Sequence, residues 1–350
     1  MRILVIGPSW VGDMMMSQSL YRTLKALHPD AVIDVMAPAW CRPLLSRMPE
    51  VNDALAMPLG HGTLQLGERR RLGVRLRDKG YDRAFVLPGS FKSALVPFFA
   101  NIPRRTGWRG EMRYGLLNDL RVLDKTAYPL MVERYVALAY DSQQVQRASQ
   151  LPQPLLWPRL HVSDDEIIQV VQKFALPAER EAIGFCPGAE FGPAKRWPHY
   201  HYAALAERLI AEGKQVLLFG SAKDRETGDE IVRTLPQDMQ AHCHNLAGQT
   251  QLEEAVILLA FCRAVVSNDS GLMHIAAALE KPLIALYGPS SPDFTPPLSQ
   301  RARVIRLITG YHKVRKGDAA EGYHQSLIDI QPERVLDELS ALLDQRQETP

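Results

Sequence analysis

Apolar residues in this chain fall into short uninterrupted runs, separated by stretches in which they recur every three or four positions. In the first half the runs RILVIG (2–7), AVIDVMA (31–37) and DRAFVLP (82–88) predict buried strands. Met16, Leu20, Leu24 and Leu27, spaced four, four and three, mark a helix face between the first two. The second half repeats the logic with AIGFC (182–186), QVLLFG (215–220), AVVSND (264–269) and PLIALYG (282–288), each followed by a loop and a helical pattern. Strands that alternate with helices build parallel sheets from βαβ units, so the predicted class is α/β with two doubly wound, Rossmann-like domains.

Between the halves, LPQPLLWPRLHVS (151–163) carries three prolines and no clear periodicity, which suits a chain crossing between domains. Ser163 with Glu166 then forms a capping box that opens a new helix. At the other end, PERVLDELSALLD puts Pro332 at a first helical position and Val335, Leu336, Leu339, Leu342 and Leu343 on one side. The expected domains are therefore 1–160 and 161–330, followed by a C-terminal amphipathic helix in 331–350. Two such domains facing each other leave a cleft at the carboxyl ends of both sheets, where open α/β sheets place their ligands.

Composition narrows this picture modestly. The 350 residues exceed what one hydrophobic core usually serves, and 46% hydrophobic with 23% charged residues is ordinary for a globular protein. A net charge of +2 leaves any attraction to acidic partners to local patches, and with no nucleic-acid-binding motif it argues against a nucleic-acid partner. Cys41, Cys186, Cys243 and Cys262 form no CxxC pair, and the N-terminus runs straight into a strand without a cleavable leader, which points to a reducing cytoplasm. No apolar run approaches the ~20 residues of a spanning helix, so membrane contact is expected to be peripheral.

The chemistry concentrates at strand ends. Gly7 to Gly12 in GPSWVGD has glycine spacing of a phosphate loop, but Asp13 and Met14 follow where Lys and Ser/Thr belong, and Asp13 would repel phosphate. Asp13 is then either a first-turn carboxylate satisfying helix N–H groups or a base projecting into the cleft. The phosphate site is expected in the second domain. CPGAEFGPAKRWP ends a strand in a Pro/Gly-rich loop with Lys195 and Arg196, just before a helix starting near Pro198; Lys195 suits a pyrophosphate, or is a solvated surface charge. SNDSGLMHIAAAL offers Ser267, Ser270 and Gly271 at a helix start, where bare N–H groups bind anions. Asp269 in that stretch could instead be an N-cap, and His274 a core histidine. PLIALYGPSSP walls the same cleft, and together these stretches read as a nucleotide-diphosphate pocket.

Metal signals are weak: alternation sends Cys243 to the face opposite His242 and His244, and the carboxylates of DDE (164–166) open a polar helix. No metal and no cofactor are expected. Two basic clusters remain. GERRRLGVRLRDKG carries Arg69, Arg70, Arg71, Arg75, Arg77 and Lys79 and reads as a solvated helix face. PRRTGWRGEMRYG carries Arg104, Arg105, Arg109 and Arg113 with Trp108 and Tyr114, expected as a loop that recognises an anionic, sugar-like acceptor.

On GPSWVGDMMMSQSLYRTL, CPGAEFGPAKRWP, SNDSGLMHIAAAL and LYGPSSPDFTPP the chain resembles the lipopolysaccharide heptosyltransferases of glycosyltransferase family 9, over essentially its whole length. The resemblance implies a GT-B architecture and an inverting transfer of L-glycero-D-manno-heptose from ADP-heptose. The implied acceptor is the first heptose of the Kdo-lipid A inner core, at the cytoplasmic face of the inner membrane, with peripheral contact to its anionic surface. It implies Asp13 as the catalytic base and Lys195 beside the donor phosphates. Asp269, Ser270, Gly271 and His274, with Gly188 and Gly220, line the donor site in this reading. Asp224 and Glu226 both qualify as the acid that holds the ribose, and Gly12, Arg104, Arg105, Trp108 and Arg109 are assigned to the acceptor.

Overall fold

The computed structural model of the chain describes residues 1–60, 62–190, 192–310, 314, 316–317 and 319–344. Phe191 of the CPGAEFGPAKRWP motif, and 345–350 of the expected C-terminal segment, lie outside the described residues. Contacts divide the chain into two units, Met1–Pro158 and Arg159–Pro350, two residues before the boundary the proline-rich stretch suggests.

In the first unit the strands are β1 (Arg2–Ile6), β2 (Val32–Ala37), β3 (Val51–Ala56), β4 (Arg83–Val86), β5 (Arg104–Trp108) and β6 (Asp119–Arg121). They form a parallel sheet in the order β3-β2-β1-β4-β5-β6. The helices are α1 (Val11–Leu27), α2 (Arg42–Leu45), α3 (Leu66–Leu76), α4 (Leu95–Phe99) and α5 (Met131–Ala137). Central β1 is apolar because both its faces are covered: Ile3, Leu4 and Val5 are fully buried. On one face Leu4, Ile6, Met36, Ala84 and Val86 join Val96, Ala100, Ile102 and Leu117 in a core. Helix α3 reaches α4 through Gly73, where a Cβ would stand 2.6 Å from that of Phe99. On α1, Met16, Leu20 and Leu24 are buried as the periodicity predicts, but Leu27, in the last turn, is exposed.

The second unit has strands β7 (Ala182–Cys186), β8 (Gln215–Leu218), β9 (Cys243–Asn245), β10 (Ala264–Asn268), β11 (Leu283–Tyr287) and β12 (Ala302–Arg306). All are parallel, in the order β12-β11-β10-β7-β8-β9. Its helices are α6 (Asp164–Lys173), α7 (His199–Ala211), α8 (Arg225–Thr234), α9 (Leu252–Phe261), α10 (Gly271–Ala278), α11 (Gln325–Ile328) and α12 (Pro332–Asp344). The Ser163 capping box opens α6 as predicted, with Ser163 N–H donating to Glu166 at 2.9 Å. Pro332 begins α12, whose Val335, Leu339 and Leu342 enter the same core as Phe185, Val216, Val266 and Leu286. The last helix is thus part of the second unit's interior.

Both sheets reverse their strand order between the first and fourth strands of the unit, β1/β4 and β7/β10. Loops leaving the carboxyl ends of strands at such a reversal diverge and leave a crevice for ligand. GPSWVGD follows β1, while CPGAEFGPAKRWP and SNDSG follow β7 and β10. The chemistry-bearing stretches therefore sit where this topology puts ligands.

Candidate active site

In the second unit, β7 and β10 are neighbours, with Ser267 opposite Cys186. The two loops that leave them meet through charge: Lys195, ending the turn Pro193–Lys195, places Nζ 2.6 Å from Asp269 Oδ2. Lys195 is therefore held by a largely buried carboxylate and is not a solvated surface charge. Asp269 is not the helix cap either. That position belongs to Ser270, whose side chain makes no cap hydrogen bond, so the first N–H groups of α10 from Gly271 onward have no side-chain cap. A helix start of this kind beside a lysine offers N–H groups and a positive charge that an anion can use.

His274, one turn into α10, is buried, and burial pushes its imidazole down to about 4. It is neutral at physiological pH, and it senses both Asp269 and Lys195. Further along the carboxyl edge, Asp224 accepts from Ser221 N–H at 2.9 Å and Ser221 Oγ at 2.8 Å, and lies 3.3 Å from Arg196. Gly188 and Gly220 are small because Asp224 lies on them: a Cβ on Gly188 would be 2.5 Å from its Cγ, and one on Gly220 2.7 Å from its Cβ. Of the two candidate acids, Asp224 is built into the loop floor, whereas Glu226 is exposed on the first turn of α8. His242 ends a short turn, and Cys243 and His244 open β9. Among the described residues no cluster of His, Cys, Asp or Glu is placed to hold a metal.

In the first unit, Gly7 N–H donates to Met36 O at 2.9 Å, and a Cβ there would press to 3.0 Å on the Met14 side chain. The chain then turns into α1 with Trp10 at the N-cap, Gly12 in the first turn and Asp13 third. Sequence left open whether Asp13 serves the helix. In α6 the acid at the same helical position, Glu166, reaches back to the N-cap N–H. The Asp13 carboxylate makes no hydrogen bond or ion pair with any described residue. Burial pushes it up to about 6, and its charge is felt by buried Tyr135 of α5. An acid in the first turn that is raised and not used as a cap can exchange a proton near neutral pH.

The basic stretch expected as a recognition loop is different. PRRTGWRGEMRYG begins as strand β5, and most of its cations are already engaged. Arg104 pairs with Asp119 at 3.0 Å, and Arg105 donates to the Ile102 and Leu116 carbonyls at 2.6 Å each. Trp108 donates to Arg134 O at 2.9 Å and tilts on Tyr128. Arg113 is wholly buried, donating to Pro88 O at 2.6 Å and to Trp108 O. Only Arg109 of this set has an exposed side chain without a partner among the described residues. Gly110 lies so close to Gly89 that a Cβ would fall 2.1 Å from its carbonyl oxygen, which locks the loops after β4 and β5 together. Trp10, Trp40 and Phe91, exposed after β1, β2 and β4, share this carboxyl edge and escaped notice because isolated aromatics carry no periodic signal. The other basic cluster forms α3: Arg69 is buried on the Leu64 and Thr63 carbonyls, while Arg70, Arg71 and Arg75 face solvent beside exposed Leu64, Leu66 and Val74.

The family model described as glycosyltransferase family 9 (heptosyltransferase) matches residues 69–324. Lipopolysaccharide heptosyltransferase 2 of Salmonella typhimurium is 75% identical over 345 residues, covering 99% of each chain. The protein of the same name in Escherichia coli is also 75% identical, covering 99% of this chain and 100% of its own. Among solved structures, E. coli ADP-heptose lps heptosyltransferase II superposes with a TM-score of 0.92 at 70% identity, covering 99% of this chain and 100% of that one.

Proposed function

The chain belongs to glycosyltransferase family 9, and from that premise we propose how its two units divide the reaction. The protein is a heptosyltransferase of lipopolysaccharide core biosynthesis. Its fold, two parallel-sheet Rossmann-like units, is that of the GT-B relative it matches.

In our reading the second unit holds the donor, ADP-L-glycero-β-D-manno-heptose. Lys195 and the uncapped start of α10 at Ser270 and Gly271 face its diphosphate, and Asp224 is favoured over Glu226 for the ribose because it is fixed in the loop floor. The first unit holds the acceptor, the first heptose of the Kdo-lipid A inner core, with Arg109 as the cation available for its anionic groups. Asp13 takes the proton from the acceptor hydroxyl as that oxygen bonds to the anomeric carbon. The bond from that carbon to the diphosphate oxygen breaks on the opposite face, configuration inverts, and ADP departs with the negative charge that Lys195 and the helix start stabilise.

The observation that carries this reading is Asp13: a carboxylate at a strand's carboxyl end, raised to about 6 and not consumed by the helix it begins. ADP release from ADP-heptose plus a heptosylated inner-core acceptor tests it. Wild type turning over and Asp13→Asn falling by about 10²–10⁴, with ADP binding retained, is the expected result. Equal turnover moves the base elsewhere, and no turnover in wild type removes the donor assignment.

Among the described residues no helix is long and apolar enough to cross a membrane. We place the enzyme at the cytoplasmic face of the inner membrane, touching anionic lipid through α3. The exposed Arg70, Arg71 and Arg75 interleaved with Leu64, Leu66 and Val74 support this, as do four free, buried cysteines for a reducing compartment.

A further inference from the structure

Asn268, the last residue of β10, is fully buried and joins three segments by its side chain. Its Oδ1 accepts from Trp197 N–H at 3.0 Å and from the Tyr202 hydroxyl at 3.1 Å, while its Nδ2 donates to Pro187 O at 2.7 Å. The amide orientation follows from chemistry, since a peptide N–H can only donate and the proline carbonyl can only accept. Pro187 directly follows β7 and has no N–H for the strand ladder, so the side-chain amide joins β10 to β7 there. Trp197 lies two residues beyond Lys195, and its own ring is anchored by Nε1 donating to Ile330 O at 2.8 Å. Asp269, the partner of Lys195, is the residue after Asn268.

The Lys195 loop and the Asp269 loop are thus tied twice: at their tips by the ion pair and at their base by this amide. A bound diphosphate would compete with the tip contact, because it offers Lys195 a second anion. The base contact is made by a fully buried side chain. We infer that Asn268 is a positioning residue: it sets where Lys195 stands relative to Asp269 and the start of α10, and so fixes the geometry in which departing diphosphate is stabilised. This rests on the donor reading above. Aspartate could not substitute, because its carboxylate would accept at both ends and face Pro187 O without a proton between them.

A kinetic cycle tests the assignment. Wild type, Asn268→Ala, Lys195→Ala and the double variant are compared for kcat and for both KM values, well below each melting temperature. Val266→Ala, a cavity variant in the same strand's core, serves as a stability control. Asn268→Ala is expected to lose about 10²-fold in kcat, as a displaced catalytic group does, with acceptor KM within about twofold of wild type and Val266→Ala near wild type. In the double variant the loss is expected to equal that of Lys195→Ala alone, because Asn268 acts through Lys195. Multiplicative losses, or a kcat for Asn268→Ala no lower than that of Val266→Ala, overturn the assignment. Normal kcat in Lys195→Ala alone overturns instead the donor reading beneath it. Should Asn268→Ala fail to fold, Asn268→Ser, which keeps one hydroxyl, enters the same cycle with the same criteria.

Discussion

Asp13 shows how one side chain can carry opposite demands. A helix start favours a charged carboxylate, whereas burial disfavours it, and here burial wins, raising the group to about 6. Two results follow. Turnover should rise with pH through an ionisation near 6, because only the deprotonated acid accepts the hydroxyl proton, and Asp13→Asn should lose that limb of the profile. Stability should move the other way. A folded-state pKa above the unfolded one means the native state binds the proton more tightly, so stability falls as pH rises from about 4 to 6 and levels off above. Asp13→Asn should therefore be the more stable protein at pH 8, by on the order of 2 kcal/mol, with the difference vanishing below pH 4 in denaturant titrations. In the proposed reaction Lys195 is the counterpart on the leaving-group side. Lys195→Ala should lower kcat by roughly 10²–10³, as removal of one preorganised stabilising donor does, and leave acceptor KM near wild type.

At the scale of elements, the central strands and principal helices were legible because they are buried on both faces, which writes an uninterrupted apolar run into the chain. The edge strands were not. β3 has no fully buried position, and β5 opens with Arg104 and Arg105, whose charges read as a loop although their guanidinium groups turn back onto Asp119 and backbone carbonyls. The same blindness hid Arg113, which looks like its neighbours in sequence but lies wholly buried beneath the loops after β4 and β5. Arg113→Ala should cost about 3 kcal/mol by leaving the Pro88 and Trp108 carbonyls unpaired, and should raise acceptor KM by loosening both loops. Arg109→Ala should raise acceptor KM without a change in melting temperature. If the two variants behave alike, Arg109 has a structural role. In the second unit Asp13's opposite numbers, Lys195 and Asp269, were identifiable singly, but their ion pair spans 74 residues of sequence and could only be seen in the fold.

For the whole molecule, the near balance of charge conceals a local excess. Helix α3 presents Arg70, Arg71 and Arg75 with exposed Leu66 and Val74, and with Leu64 just before it, while its one inward arginine donates to carbonyls. Vesicle flotation should show binding to anionic but not zwitterionic bilayers. Reversing the three arginines to Glu should weaken it by on the order of 10²-fold, at about 1 kcal/mol per cation removed, while activity on a water-soluble acceptor stays intact. Binding that survives the reversal would move the contact off α3. A final consequence comes from His274. Its imidazole, held near 4, carries no charge across the physiological range, and the other ionic groups around it are an acid and a lysine in contact. In the reading proposed above, the histidine beside the donor diphosphate therefore keeps the same charge from mild acid to mild alkali, while Asp13, on the acceptor side, changes its own near 6. Acidification should stall the enzyme with its donor still loaded, a paused state that resumes on neutralisation without needing fresh nucleotide sugar.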